Sequence, residues 1–137
     1  MDELRTILRG HRSKSELESP AHHHDAPTVS DIPDVFFDDI LPEYKLTRIE
    51  IIVLMYVYRR VWCRPNLYKV YGISQLMSHT EMAHNLRITL DEVYYALKKL
   101  EDYGIISTIR SGQYFVRRFF TKDLDDYYHQ TYDDFEA

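Results

Sequence analysis

Residues Glu81 to Ile106, EMAHNLRITLDEVYYALKKLEDYGII, decide the fold. Ser78-His79-Thr80-Glu81 at its start and Thr89-Leu90-Asp91-Glu92 within it share the capping-box spacing. In that motif a hydroxyl accepts from the amide three residues on, and the glutamate reaches back to the cap amide. The spacing predicts a short helix from His79 to Leu86. A longer one follows to about Tyr103, closed by Gly104 as a left-handed cap. Val93, Leu97 and Leu100, with Ala96 beside them, form one apolar stripe on the longer helix. Only Arg87-Ile88-Thr89 separates the two, so the unit reads as helix, three-residue turn, helix.

Downstream, IISTIR and QYFVRRFF flank Ser111-Gly112, a two-residue connection that predicts a tight hairpin. With a regular turn, Ile105, Ser107, Ile109, Tyr114 and Val116 share one face. Thr108, Arg110, Gln113 and Arg117 share the other. Thr121 with Asp123 then caps a last helix whose side carries Leu124, Tyr128, Thr131 or Tyr132, and Phe135. That helix is expected to pack back on the domain, with a dimer seam as the other use.

Upstream, Thr47-Arg48-Ile49-Glu50 is a further capping box. It opens a helix from about Arg48 to Trp62, apolar on most sides and therefore central. The link CRPNLYKVYGIS holds Pro65 and Gly72, and Tyr68 to Ile73 is a candidate short strand. DVFFDDILPEY interleaves Phe36, Phe37, Ile40 and Leu41 with acids, as a docking element or a strap laid over the domain. Residues 11–34 are rich in Pro, Ser, His and Asp with almost no apolar periodicity, and a helical turn through Leu4, Ile7 and Leu8 is too short to stand alone, which predicts a flexible acidic arm over 1–33. The organisation is thus an arm over 1–33, a strap over 34–45, a domain over 46–120 and an acidic C-terminal helix over 121–137.

The 137 residues carry a net charge of −5 and 45% hydrophobic residues, enough for one core. Charge is unevenly placed. Residues 44–122 hold 13 Lys/Arg against 6 Asp/Glu, whereas 1–43 hold 4 against 10 and 123–137 hold none against 6. Local field steers a polyanion more than total charge does. The start, MDELRTILRGHRSKSELES, has no apolar signal region, and the longest apolar run, Ile51 to Tyr58, is too short to span a bilayer. A single cysteine, Cys63, excludes an intrachain disulfide and fits a reducing, cytoplasmic location, with Cys63 as a buried small residue.

Helix, possible strand, helix, turn, helix and hairpin together resemble a winged helix-turn-helix domain over residues 46–120. The likeness rests on Glu81-Met82-Ala83, Leu86, Ile88-Thr89, Val93, Ala96-Leu97, Leu100-Glu101 and Gly104-Ile105-Ile106. The block FFDDILPEYKLTRIEIIVLMYVYRR is similar in layout to the start of plasmid and phage replication-initiator and replisome-organiser proteins. The resemblance implies a mostly α fold with a three-helix core and a small β-hairpin wing. It also implies duplex DNA as partner, with the third helix in the major groove and the wing on the backbone. Carried over, the groove positions are Thr89, Asp91, Glu92, Tyr95 and Lys99, with Lys98 on phosphate. The wing positions are Arg110, Gln113, Arg117 and Arg118.

Two departures stand out. Arg87 occupies a position where the family often has glycine, so the backbone is strained there or the helix ends differently. Asp91 and Glu92 would face phosphate, which repels them, although a carboxylate accepts from cytosine N4. The plainer role for both is to complement the positive end of the helix dipole.

A second reading is a module for protein recognition, with Phe36, Phe37, Ile40, Leu41, Tyr128, Tyr132 and Phe135 as partner contacts. Tyr94 and Tyr95 are adjacent on the third helix, so at least one must be exposed. His22-His23-His24-Asp25 lacks further ligands at metal spacing. His79 and His84 are five apart, do not share a face, and are expected at the surface or in a turn. No nucleophile–base–acid set or glycine-rich phosphate loop is present, so neither cofactor nor enzymatic activity is expected.

Overall fold

The computed structural model describes residues 26–133. Most of the arm, including the three consecutive histidines, and Phe135 lie outside these residues. The described chain is α-rich with one two-stranded antiparallel sheet.

The first element, α1, is a π-helical turn, Phe36–Ile40, running into the α-helical Leu41–Tyr44. Lys45, left-handed at φ 51°, ends it. Phe36 and Ile40 are buried in the main core beside Val35. This corrects their reading as partner contacts: an aromatic and a branched aliphatic side chain four residues apart turn inward together. Phe37 stays 54% exposed and Leu41 is half-buried. The strap is thus part of the core, and a chain begun at Tyr44 would lack that piece of it.

The central helix α2, Arg48–Tyr58, opens with the full reciprocal box between Thr47 and Glu50. A wider π-helical turn, Arg59–Cys63, prolongs it. Val53, Leu54, Val57, Tyr58 and Val61 are its inward face. Tyr58 stacks on Phe120 at 4.8 Å between centroids, and Phe120 also meets Phe36 at 5.2 Å. These three rings join α1, α2 and the turn after the hairpin. Cys63, expected to be buried, is half-buried, with burial pushing its thiol pKa up.

Residues 64–78 carry no strand. Lys69–Tyr71 form one 3₁₀ turn, and Gly72 at φ 70° breaks any extended run. Of the expected strand a single bridge survives, Ile73 against Phe115. The Asn66 amide donates to Ile73 O at 2.8 Å and holds this link in place.

Helices α3, His79–Leu86, and α4, Leu90–Asp102, follow at the predicted positions. The hairpin pairs β1, Ile106–Arg110, with β2, Gln113–Val116. Its register departs from the regular one. An irregularity between Thr108 and Arg110 leaves Ile109 without a paired partner, so Ile106 opposes Val116 and Thr108 opposes Tyr114. One extra residue on one strand inverts the faces upstream of it. Ile106, not Ser107, is therefore buried with Tyr114 and Val116.

The last helix α5 covers only Lys122–Tyr127, capped by Thr121, whose hydroxyl accepts from Leu124 N. His129 at φ 58° then turns the chain, so Tyr132 lies beyond the helix. Tyr132 packs on Phe115 and Trp62, and its hydroxyl donates to Asp125 at 2.6 Å. It is a clasp on the domain and not a free partner contact. No described helix is long and apolar enough to cross a membrane.

Candidate nucleic-acid interface

The turn between α3 and α4 is built by its backbone. Arg87 takes φ 58° as the left-handed cap of α3, the same ending a glycine would give, so of the two alternatives the strained backbone is the one realised. Ile88 N donates to Ala83 O, which closes α3, and Ile88 tucks half-buried beneath. Thr89 then starts α4 with a complete box: its hydroxyl accepts from Glu92 N at 3.0 Å, and Glu92 Oε1 accepts from Thr89 N at 2.9 Å. Glu92 therefore has a structural role at the helix start. Of the two acids, only Asp91 is left to face outward without such a bond among those described.

With Val93, Ala96, Leu97 and Leu100 turned to the core, α4 presents Asp91, Tyr94, Tyr95, Lys98 and Asp102 outward. Tyr95 is 68% exposed and Tyr94 48%. Thr89 and Lys98 are exposed, whereas Lys99 is half-buried. Tyr94 is not loose: its ring meets His79 edge-on at 4.9 Å, and His79 Nε2 hydrogen-bonds the Tyr114 hydroxyl. His79 is thus half-buried between α4 and β2 instead of free at the surface, and burial lowers its pKa. Glu101 ties the far end of α4 to the hairpin, accepting from Thr108 N and from its hydroxyl.

The hairpin residues separate. Arg110 is exposed, its Nε donating to Gln113 Oε1. Gln113, expected on the outer face, is buried, and its amide donates to Ser74 O at 3.0 Å. It positions Arg110 and the hairpin and cannot reach a groove itself. Arg117 is likewise committed, with its side chain only 25% exposed and paired to Asp125 at 3.2 Å. Arg118 is exposed but lies over Trp62 and Phe119, beside the C-terminal segment. Of the four expected wing contacts, Arg110 alone is placed beside the hairpin turn with an exposed charge.

The basic balance of the middle segment is not gathered on α4, whose Lys98 and Lys99 share it with Asp91, Glu92, Glu101 and Asp102. Three arginines, Arg59, Arg60 and Arg64, cluster instead where α2 ends, along a groove. The sequence carried one sign of this: a helix apolar on two faces that runs directly into Arg59-Arg60. Among the described residues no group of three or more His, Cys, Asp or Glu is placed to hold a metal ion. Compared with family models, curated proteins and solved structures, the chain has no match.

Proposed function

We propose that the chain is a non-enzymatic winged helix-turn-helix protein that binds duplex DNA, in transcriptional regulation or replication initiation. In this reading α2, α3 and α4 are the three-helix core and β1–β2 the wing. One observation carries it. Thr89, Tyr95 and Lys98 face outward on the second helix of a tight helix-turn-helix, and a hairpin with Arg110 at its turn follows directly. A helix so held lies in a major groove while the hairpin reaches the backbone. Lys98 and Arg110 are phosphate contacts, which position the protein without selecting sequence. Tyr95 and Thr89 are left to meet base edges.

Anisotropy of labelled duplex DNA, titrated across salt, tests the proposal. The double substitution Lys98→Ala with Arg110→Ala should weaken binding on every sequence alike and flatten the log–log salt slope by about one to two. Absence of binding by the intact protein at low salt would overturn it. The same result would favour a second reading, protein recognition through α4, which rests on exposed Leu90, Tyr94 and Tyr95 standing among acids. Aromatic side chains within such a patch suit a protein interface.

A further inference from the structure

Helix α2 is apolar on two sides: one is fully buried, and the other packs against the edge of the core while keeping part of its surface open. Ile51, Ile52 and Met55 stay half-buried on the other, facing Leu86 of α3 across a groove of about 810 Å³. With Arg59 they occupy positions i, i+1, i+4 and i+8, a strip about 12 Å long at the helical rise. That length matches two turns of a docked helix. Met55 adds a flexible side chain that adapts to what lies against it.

The charge of the groove is one-sided. Arg59, Arg60 and Arg64 line one end, and no carboxylate is among the lining residues. Among the described residues the one ion pair at this end is Arg60 with Glu81 at 3.6 Å, both side chains about half-exposed, so it offsets little. Arg60 also donates to the Tyr56 hydroxyl, and Arg64 to Ser30 Oγ, which fixes both guanidinium groups at the rim.

We propose that this groove docks an acidic amphipathic helix of a partner protein. Apolar side chains at i, i+3, i+4 and i+7 would lie along Ile51, Ile52 and Met55, with carboxylates against the arginines. A recessed apolar floor suits side chains better than a phosphate backbone. The proposal does not depend on α4 binding DNA.

The test uses the full chain and three labelled helical peptides of about four turns. Each has Leu at the four anchor positions, with Glu, Gln or Lys elsewhere. Anisotropy reads affinity, and the Met55 methyl resonance reads location. The Glu peptide is expected to bind in the micromolar range, about tenfold or more tighter than the Gln and Lys forms, and to shift Met55. Arg59→Glu with Arg60→Glu, both at exposed positions, should invert that order while circular dichroism stays unchanged. Equal affinity for the Glu and Gln peptides, or an unmoved Met55 methyl, would overturn the proposal. So would duplex DNA that displaces the Glu peptide and loses affinity in the same double variant, since the arginines would then be phosphate contacts.

Discussion

His79 shows how one side chain can link pH to stability. Its ring is half-buried between Tyr94 and Tyr114, and burial sets its pKa below the ordinary imidazole value. The folded protein therefore favours the neutral ring, and the unfolded chain takes up the proton first as pH falls. The contribution is complete above the unfolded value of about 6.5 and is lost as pH drops through the lower folded value. Thermal melts should show Tm falling between about pH 7 and pH 5, with His79→Gln removing part of that slope. An unchanged slope in the variant would assign the effect to the carboxylates. Tyr58 and Tyr132 titrate in the other direction: burial raises both above the ordinary phenol value, and both remain donors at neutral pH.

At the scale of elements, the start of α4 and the tip of the hairpin make separable predictions. Glu92 closes the cap and Asp91 stands beside it at the positive end of the helix. Asp91→Ser with Glu92→Gln should lower stability by only a few tenths to about 1 kcal/mol. If α4 meets DNA, the same pair of changes should raise affinity by removing two negative charges from the contact face. Lower affinity with unchanged melting would instead mean that these acids read a base or a partner. At the hairpin, Gly112 has φ 84°, and a Cβ there would stand 2.6 Å from Met77 O. Its own carbonyl accepts from Met77 N at 2.7 Å. Gly112→Ala should cost more than about 1 kcal/mol in urea unfolding, because both the backbone conformation and its contact must give way. A neutral result would mean that the hairpin is not held against residues 72–77.

For the whole molecule, the two ends of the described chain stabilise the fold by different means. The N-terminal side does so through apolar burial. Phe36 is 3% exposed and meets Phe120, so Phe36→Ala should cost about 3–5 kcal/mol. The C-terminal side works through a polar clasp. Asp125, 1% exposed, accepts from Arg117, from Phe119 N and from the Tyr132 hydroxyl. Asp125→Ala strands the Arg117 charge and should cost about 3 kcal/mol, against about 1–2 kcal/mol for Tyr132→Phe, which removes the bond donated to Asp125 and the one accepted from the exposed Arg118 N. Chemical denaturation of the two variants side by side gives the comparison. Equal losses would mean that the ion pair adds nothing beyond the tyrosine's bonds.

Local chemistry by itself determined α2, α3 and α4, where each begins and the turn between α3 and α4, because a capping box needs residues only three apart and an apolar stripe repeats every turn. The hairpin's place was legible for the same reason, through Ser111-Gly112. The last helix, expected to carry Tyr128 and residues beyond it, stops at Tyr127. Only the tertiary structure decided which polar side chains remain free. Gln113 and Arg117 read as outward by alternation, and the bulge at Ile109 re-faces only β1; other segments of the chain are laid over their side of the hairpin. Ser74 and Asp125, 39 and 8 residues away along the chain, then captured those side chains. Phe36 and Ile40 looked like a grip offered to a partner until Phe120 supplied the missing surface. The groove of Ile51, Ile52 and Met55 likewise exists only because α3 folds across from α2. Such pairings depend on distance in space, and a pattern of residue types along the chain does not encode it.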